Sequence, residues 1–66
     1  MDMSATMRRA RKKARLTLAQ VAEACGVSAP TIWAWERGKQ QPRIDRLPTI
    51  ASALSISVGD LVKGMR

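Results

Sequence analysis

The chain has 66 residues, 45% of them hydrophobic and 26% charged, and its twelve Lys and Arg outnumber five Asp and Glu for a formal net charge of +7. A chain this short buries only about 60% of the surface its unfolded form exposes, which leaves room for one core and excludes two lobes around a catalytic cleft. The charge excess points to an anionic partner, while the absence of His removes the commonest general base and the commonest zinc ligand, and the single Cys, Cys25, cannot build a metal site alone.

In chain order, the spacing predicts short amphipathic helices and no strands. The first starts near Ser4 or Thr6 and runs to about Ala14, with Met3, Met7, Ala10 and Ala14 on its dry face and Arg8, Arg9, Lys12 and Lys13 elsewhere on the wheel. Thr17 followed by Gln20 reads as a capping box, so a second helix begins at Leu18, and Gly26 stops it after Val21, Ala22 and Cys25. Ser28 is a good N-cap and Pro30 suits a first helical turn, so a third helix covers residues 29–37, turns Ile32, Trp35 and Glu36 inward, and ends at Gly38. Residues 38–43 (GKQQPR) form a basic loop. Asp45 is the predicted N-cap of a fourth helix, with Leu47, Ile50, Ala51 and Leu54 as its apolar stripe. Ser57 with Asp60 opens a short fifth helix through Val62, stopped by Gly64. Val58, Leu61 and Val62 either close the core or form an apolar dimer patch.

The join between the second and third helices carries the functional signal. Gly26-Val27-Ser28 admits a tight turn and the small Ala22 admits close crossing, the arrangement of a helix-turn-helix over about residues 18–37. Around it, Arg8-Arg9-Ala10-Arg11, Leu16-Thr17, Val21-Ala22, Thr31-Ile32, Trp35-Glu36-Arg37-Gly38-Lys39, Pro42, Leu47, Ile50-Ala51, Ala53-Leu54 and Asp60-Leu61 extend the pattern from about Met7 to Leu61. In these residues the chain resembles the Cro and repressor-type, lambda-repressor-like helix-turn-helix family of phage and bacterial regulators.

The resemblance implies a five-helix bundle whose third helix enters the DNA major groove. It implies that Ser28, Ala29, Pro30, Thr31, Trp33 and Ala34 lie at or near the DNA surface, with Arg37 within reach of it. It assigns phosphate contacts to Thr17, Lys39, Gln40, Arg43 and Arg46 and to first-helix arginines such as Arg8, and it implies a structural ion pair between Arg11 and Glu36. There are departures. Ala29, Pro30 and Ala34 stand where base-reading side chains are usual, so readout rests on apolar contacts and DNA deformability. Leu18 removes one phosphate contact, and Arg15 stands where the family favours Gly, so a left-handed turn there carries strain.

Charge arithmetic points the same way without the family. Six of the twelve basic residues lie in positions 8–15 and four in 37–46, while residues 16–36 hold only Glu23 and Glu36 as charges. Two basic flanks therefore bracket a nearly neutral helix pair, an arrangement suited to phosphates on either side of a groove. Trp33 and Trp35 are roughly 200° apart on a helix and cannot share a face. Trp35 belongs with Ile32 in the core, and Trp33 points outward, either to DNA or a partner protein or flat on its own bundle.

The expected fold is all-α, one compact five-helix bundle spanning residues 1–66 as a single helix-turn-helix DNA-binding domain. The expected function is a sequence-specific double-stranded DNA-binding transcriptional regulator, a phage or prophage Cro-like or repressor protein made of this domain alone. Competing readings are a protein-interaction adaptor with Trp33 in an apolar docking patch, and an antitoxin or restriction controller on the same fold. No catalytic residues, metal or cofactor are expected. The expected partners are operator DNA and a second copy of the chain, with no membrane and no small-molecule substrate. Cys25 reads as a small buried residue in a reducing compartment. Without an apolar run of about 18 residues or a signal-peptide stretch, the chain is expected in the bacterial cytoplasm.

Overall fold

A computed structural model describes residues 3–63. The described residues form five α-helices and no strands: α1 Met3–Lys13, α2 Leu18–Cys25, α3 Ala29–Glu36, α4 Leu47–Ala53 and α5 Val58–Val62, with a 3₁₀ turn, Ile44–Arg46, leading into α4. α2 packs against α3 and α4, while α1 closes the bundle against α3 and α5. Met3 and Met7 from α1, Val21, Ala22 and Cys25 from α2, Ile32 and Trp35 from α3, and Leu47, Ile50 and Ala51 from α4 meet in one core with Leu54 and Leu61. Among the described residues no helix is long and apolar enough to cross a membrane.

Among the described residues, the chain leaves α1 to α4 by the same device. A residue just past each helix sits at positive φ, namely Arg15 (59°), Gly26 (71°), Gly38 (72°) and Ser55 (58°). The next N–H then bonds back five residues, Leu16 to Arg11, Val27 to Ala22, Lys39 to Ala34 and Ile56 to Ala51, at 3.0–3.1 Å. This closure satisfies carbonyls that a helix end would otherwise leave unpaired. After α1, α2 and α4 the closing residue is apolar, and Leu16, Val27 and Ile56 pack against the core. After α3 it is Lys39, and it is exposed.

A Cβ at Gly26 would meet nothing within 4 Å, so its backbone conformation alone asks for glycine. Gly26→Ala is therefore expected to cost about 1 kcal/mol, and Ser55→Gly, which relieves a left-handed non-glycine residue, to gain a few tenths to about 1 kcal/mol. Urea denaturation of the two variants measures both. Equal and opposite signs from those stated would show that neither position is held left-handed.

Several local expectations are corrected. α1 begins at Met3 and ends at Lys13, and Ala14 is exposed and off the dry face. α3 ends at Glu36, with Arg37 as its cap. Ser28 occupies the N-cap backbone position of α3, yet its side chain caps nothing. Asp45 is not the cap of the fourth helix: it lies inside the 3₁₀ turn, and α4 starts at Leu47. With Asp45 as N-cap, Pro48 would fall at N3, one of the two positions whose N–H a cap accepts, and proline has none. Leu61 is fully buried and Val62 packs on the core, which leaves only Val58 of that trio exposed, at 39%. The expected stop at Gly64 lies outside the described residues.

Candidate nucleic-acid interface

The start of α2 and the turn into α3 are fixed by short-range hydrogen bonds. Thr17 Oγ1 accepts from the Gln20 N–H at 3.1 Å and Gln20 Oε1 accepts from the Thr17 N–H at 2.8 Å, a complete capping box. The Thr17 O–H remains able to donate outward from an exposed position. Leu18, beside it, is half-buried against the core. At the head of α3, Ser28 Oγ and Thr31 Oγ1 share a hydrogen bond of 2.9 Å. That bond uses one hydroxyl proton, so the pair keeps one O–H donor and spare lone pairs for an incoming group.

Along α3 the side chains sort by face. Ile32, Trp35 and Glu36 are buried; Pro30 and Trp33 are exposed; Ala29, Thr31 and Ala34 are half-buried, with Ala29 packed on the core. The outward surface is therefore short hydroxyls, a proline ring, methyl groups and an indole. None of these makes a bidentate contact to a base edge, which leaves apolar contacts to thymine methyls and single hydroxyl bonds as direct readout.

Glu36 is the only acid between residues 24 and 44, and it is turned away from that surface. Its carboxylate accepts from Arg11 Nε at 2.7 Å and from Arg11 Nη2 at 3.1 Å, with the two side chains 15% and 5% exposed. Arg11 Nη1 donates to the Leu16 carbonyl at 2.9 Å. One guanidinium thus ties α1, the α1–α2 connection and the end of α3 together, and α3 is left with no exposed negative charge.

The basic residues are brought closer than two separate flanks. Arg8, Arg9 and Lys12 of α1 share an open groove of about 450 Å³ with Ser4, Glu36 and Arg37. Lys12 was not among the sequence-derived contact residues; its spacing of four from Arg8 on one helix is the signal that places the two side by side. Beyond α3, Lys39, Gln40 and Arg43 are exposed. Arg43 Nε lies 3.7 Å from Asp45 Oδ1, with both side chains largely in solvent, a pairing too loose to hold the cation. Arg46 has another task. Its Nη1 donates to the Cys25 carbonyl at 3.1 Å, closing the C-terminal end of α2 with a positive charge. Burial pushes the Cys25 thiol up from its ordinary value, with the Arg46 charge opposing in part.

Trp33 is 42% exposed. The Arg37 guanidinium carbon stands 5.6 Å from its ring centre and the Lys39 ammonium 6.0 Å. Ile44, 81% exposed at the start of the 3₁₀ turn, is an apolar side chain that no periodicity in the sequence marks out.

Two short helices crossing at a left-handed glycine, the second presenting its face beside clustered cations, define a helix-turn-helix protein. The helix-turn-helix family model matches residues 7–61, and the chain belongs to that family. It is 32% identical over 65 residues to the HTH-type transcriptional regulator DdrOP3 of Deinococcus deserti, covering 98% of this chain and 50% of the relative. The chain thus spans about half the length of that relative. Its fold superposes on the P22 c2 repressor protein, solved in complex with a synthetic operator, with a TM-score of 0.89, 33% identity and 97% of both chains covered. It likewise superposes on the clp gene regulator ClgR of Corynebacterium glutamicum with a TM-score of 0.83 and 32% identity, over 89% of this chain and 77% of that one.

Proposed function

We propose that residues 1–66 act as one DNA-binding unit of a transcriptional regulator of the Cro or repressor type, working in the bacterial cytoplasm. It inserts α3 into the major groove of operator DNA and binds as a homodimer on two half-sites. The observation that carries this reading is the charge of the α3 surface: its one acid is buried against Arg11, and the cations around it, Arg8, Lys12, Arg37, Lys39 and Arg43, stand in solvent. Such a surface attracts a polyanion over its whole width while its centre offers neutral groups to base edges. Family membership and the operator-bound repressor of the same fold support the same reading. Ser28, Ala29, Pro30, Thr31 and Ala34 are the proposed groove-facing residues, with Trp33 at the edge of that surface beside Arg37 and Lys39. Thr17, Gln40 and the exposed cations are the proposed phosphate contacts, joined by the remaining N–H groups of Arg46.

Selection of bound duplexes from a random library at two salt concentrations tests this. The expected result is a symmetric site with half-sites about one helical turn apart, and an affinity that falls by roughly 0.9 log unit per log unit of salt for each phosphate neutralised. Absence of duplex binding at low salt would sink the proposal.

A further inference from the structure

Trp33, Arg37 and Lys39 form a unit that major-groove insertion of α3 does not by itself require. Arg37 lies one helical turn beyond Trp33, which puts its guanidinium over the ring. Lys39 reaches the same ring by a different route. It is the residue that closes the left-handed turn at Gly38, with its N–H on the Ala34 carbonyl at 3.0 Å. In this motif the closing side chain commonly packs back toward the last turn of the helix; after the other helices the apolar Leu16, Val27 and Ile56 pack against the core. After α3 the closing residue is a lysine, and the side chain it meets is an exposed tryptophan.

Two like charges repel when they share one surface, and a group that attracts both offsets that repulsion. The indole face attracts each of them, and neither carries an acid: Glu36 is taken by Arg11, and Asp45 lies beside Arg43. Both cations are therefore held in place and still able to take an anion.

We propose that Trp33 is a positioning residue: its indole holds Arg37 and Lys39 as a preordered cation pair that grips the DNA phosphate backbone at the C-terminal end of α3. This rests on the reading that α3 binds duplex DNA. Ordering a long flexible side chain at the moment of binding weakens affinity by roughly two- to tenfold for each side chain, and a ring that orders two in advance removes much of that cost.

The test is a binding cycle on a mixed-sequence duplex of about 20 base pairs, since phosphate contacts need no particular site. Trp33→Ala is expected to weaken binding by about five- to twentyfold, to be matched by Trp33→Leu, which keeps apolar area without the ring, and to be largely rescued by Trp33→Tyr. In a background of Arg37→Ala with Lys39→Ala, removing Trp33 is expected to change nothing further. In the free protein, proton resonances of the Arg37 and Lys39 side chains carry ring-current shifts that vanish in Trp33→Ala. Trp33 lies outside the core, and circular dichroism checks that the variants keep the fold. An equal loss from Trp33→Ala in both backgrounds would mean the ring touches DNA itself and overturns the proposal, as would no loss in either. If the unaltered protein binds no duplex, the reading on which the proposal rests falls with it, an outcome distinct from a failed cycle in a protein that binds.

Discussion

Replacing Arg11 by Ala is expected to lower the unfolding free energy by about 3–5 kcal/mol. The guanidinium supplies both hydrogen bonds to the Glu36 carboxylate and a third to the Leu16 carbonyl. Without it, a carboxylate whose side chain is 5% exposed has no counter-charge, and the turn into α2 loses its anchor. Small domains hold only about 5 kcal/mol in reserve at the low end of the usual range, so the loss removes most of the stability. Glu36→Gln is expected to cost less, about 1–2 kcal/mol, because the amide still offers one acceptor to Arg11. Changing both residues to Met takes the charges away together and is expected to recover much of the loss, since a buried ion pair and well-packed apolar groups of similar volume are often equal in stability. Urea denaturation of the three variants measures the series. A loss below about 1 kcal/mol for Arg11→Ala would show that water already reaches the pair.

What could be read from the sequence depended on whether the signal was local. The capping box at Thr17 and Gln20, the stop at Gly26 and the cap at Ser57 each rest on residues within four positions of one another, and the structure holds all three. Arg15 and Ser55 hold the same left-handed closure as Gly26 and Gly38, but their side chains do not announce it. Only the family pattern, which carries glycine at the Arg15 position, marks the first of these turns, and nothing in the sequence marks Ser55. Asp45 shows the opposite failure. A good capping side chain is present, but the proline three residues on removes the N3 partner, and the chain turns two residues earlier with Arg43 in the extended position. The hydrogen bond from Arg46 to the Cys25 carbonyl spans 21 residues, and no periodicity foretells it. The α3 face was legible because the inward set Ile32, Trp35 and Glu36 leaves Pro30 and Trp33 nowhere else to point. That two cations would gather on Trp33 was not, since Lys39 arrives there only through the turn at Gly38.

The gathering of the basic residues sets the second large effect, on binding. Arg8 lies on α1 beside the groove it shares with Arg37, and Arg43 follows the loop after α3, so the two sample both ends of the proposed contact surface. Removing one phosphate contact lowers the salt slope by about 0.9, which near 0.1 M salt is close to a tenfold loss of affinity relative to molar salt. The double variant Arg8→Ala with Arg43→Ala is therefore expected to bind duplex DNA roughly 50- to 100-fold more weakly at about 0.1 M, with a slope reduced by about 1.8 and thermal stability nearly unchanged. Arg46→Ala should divide the other way. Its charged hydrogen bond to the end of α2 is worth about 1–2 kcal/mol of stability, so its melting temperature falls while its salt slope changes by less than that of Arg43→Ala. Titration of all three against one mixed-sequence duplex at several salt concentrations separates the outcomes. A double variant with the parental slope would mean that the DNA follows neither α1 nor the loop after α3, and the surface would have to be redrawn around α2.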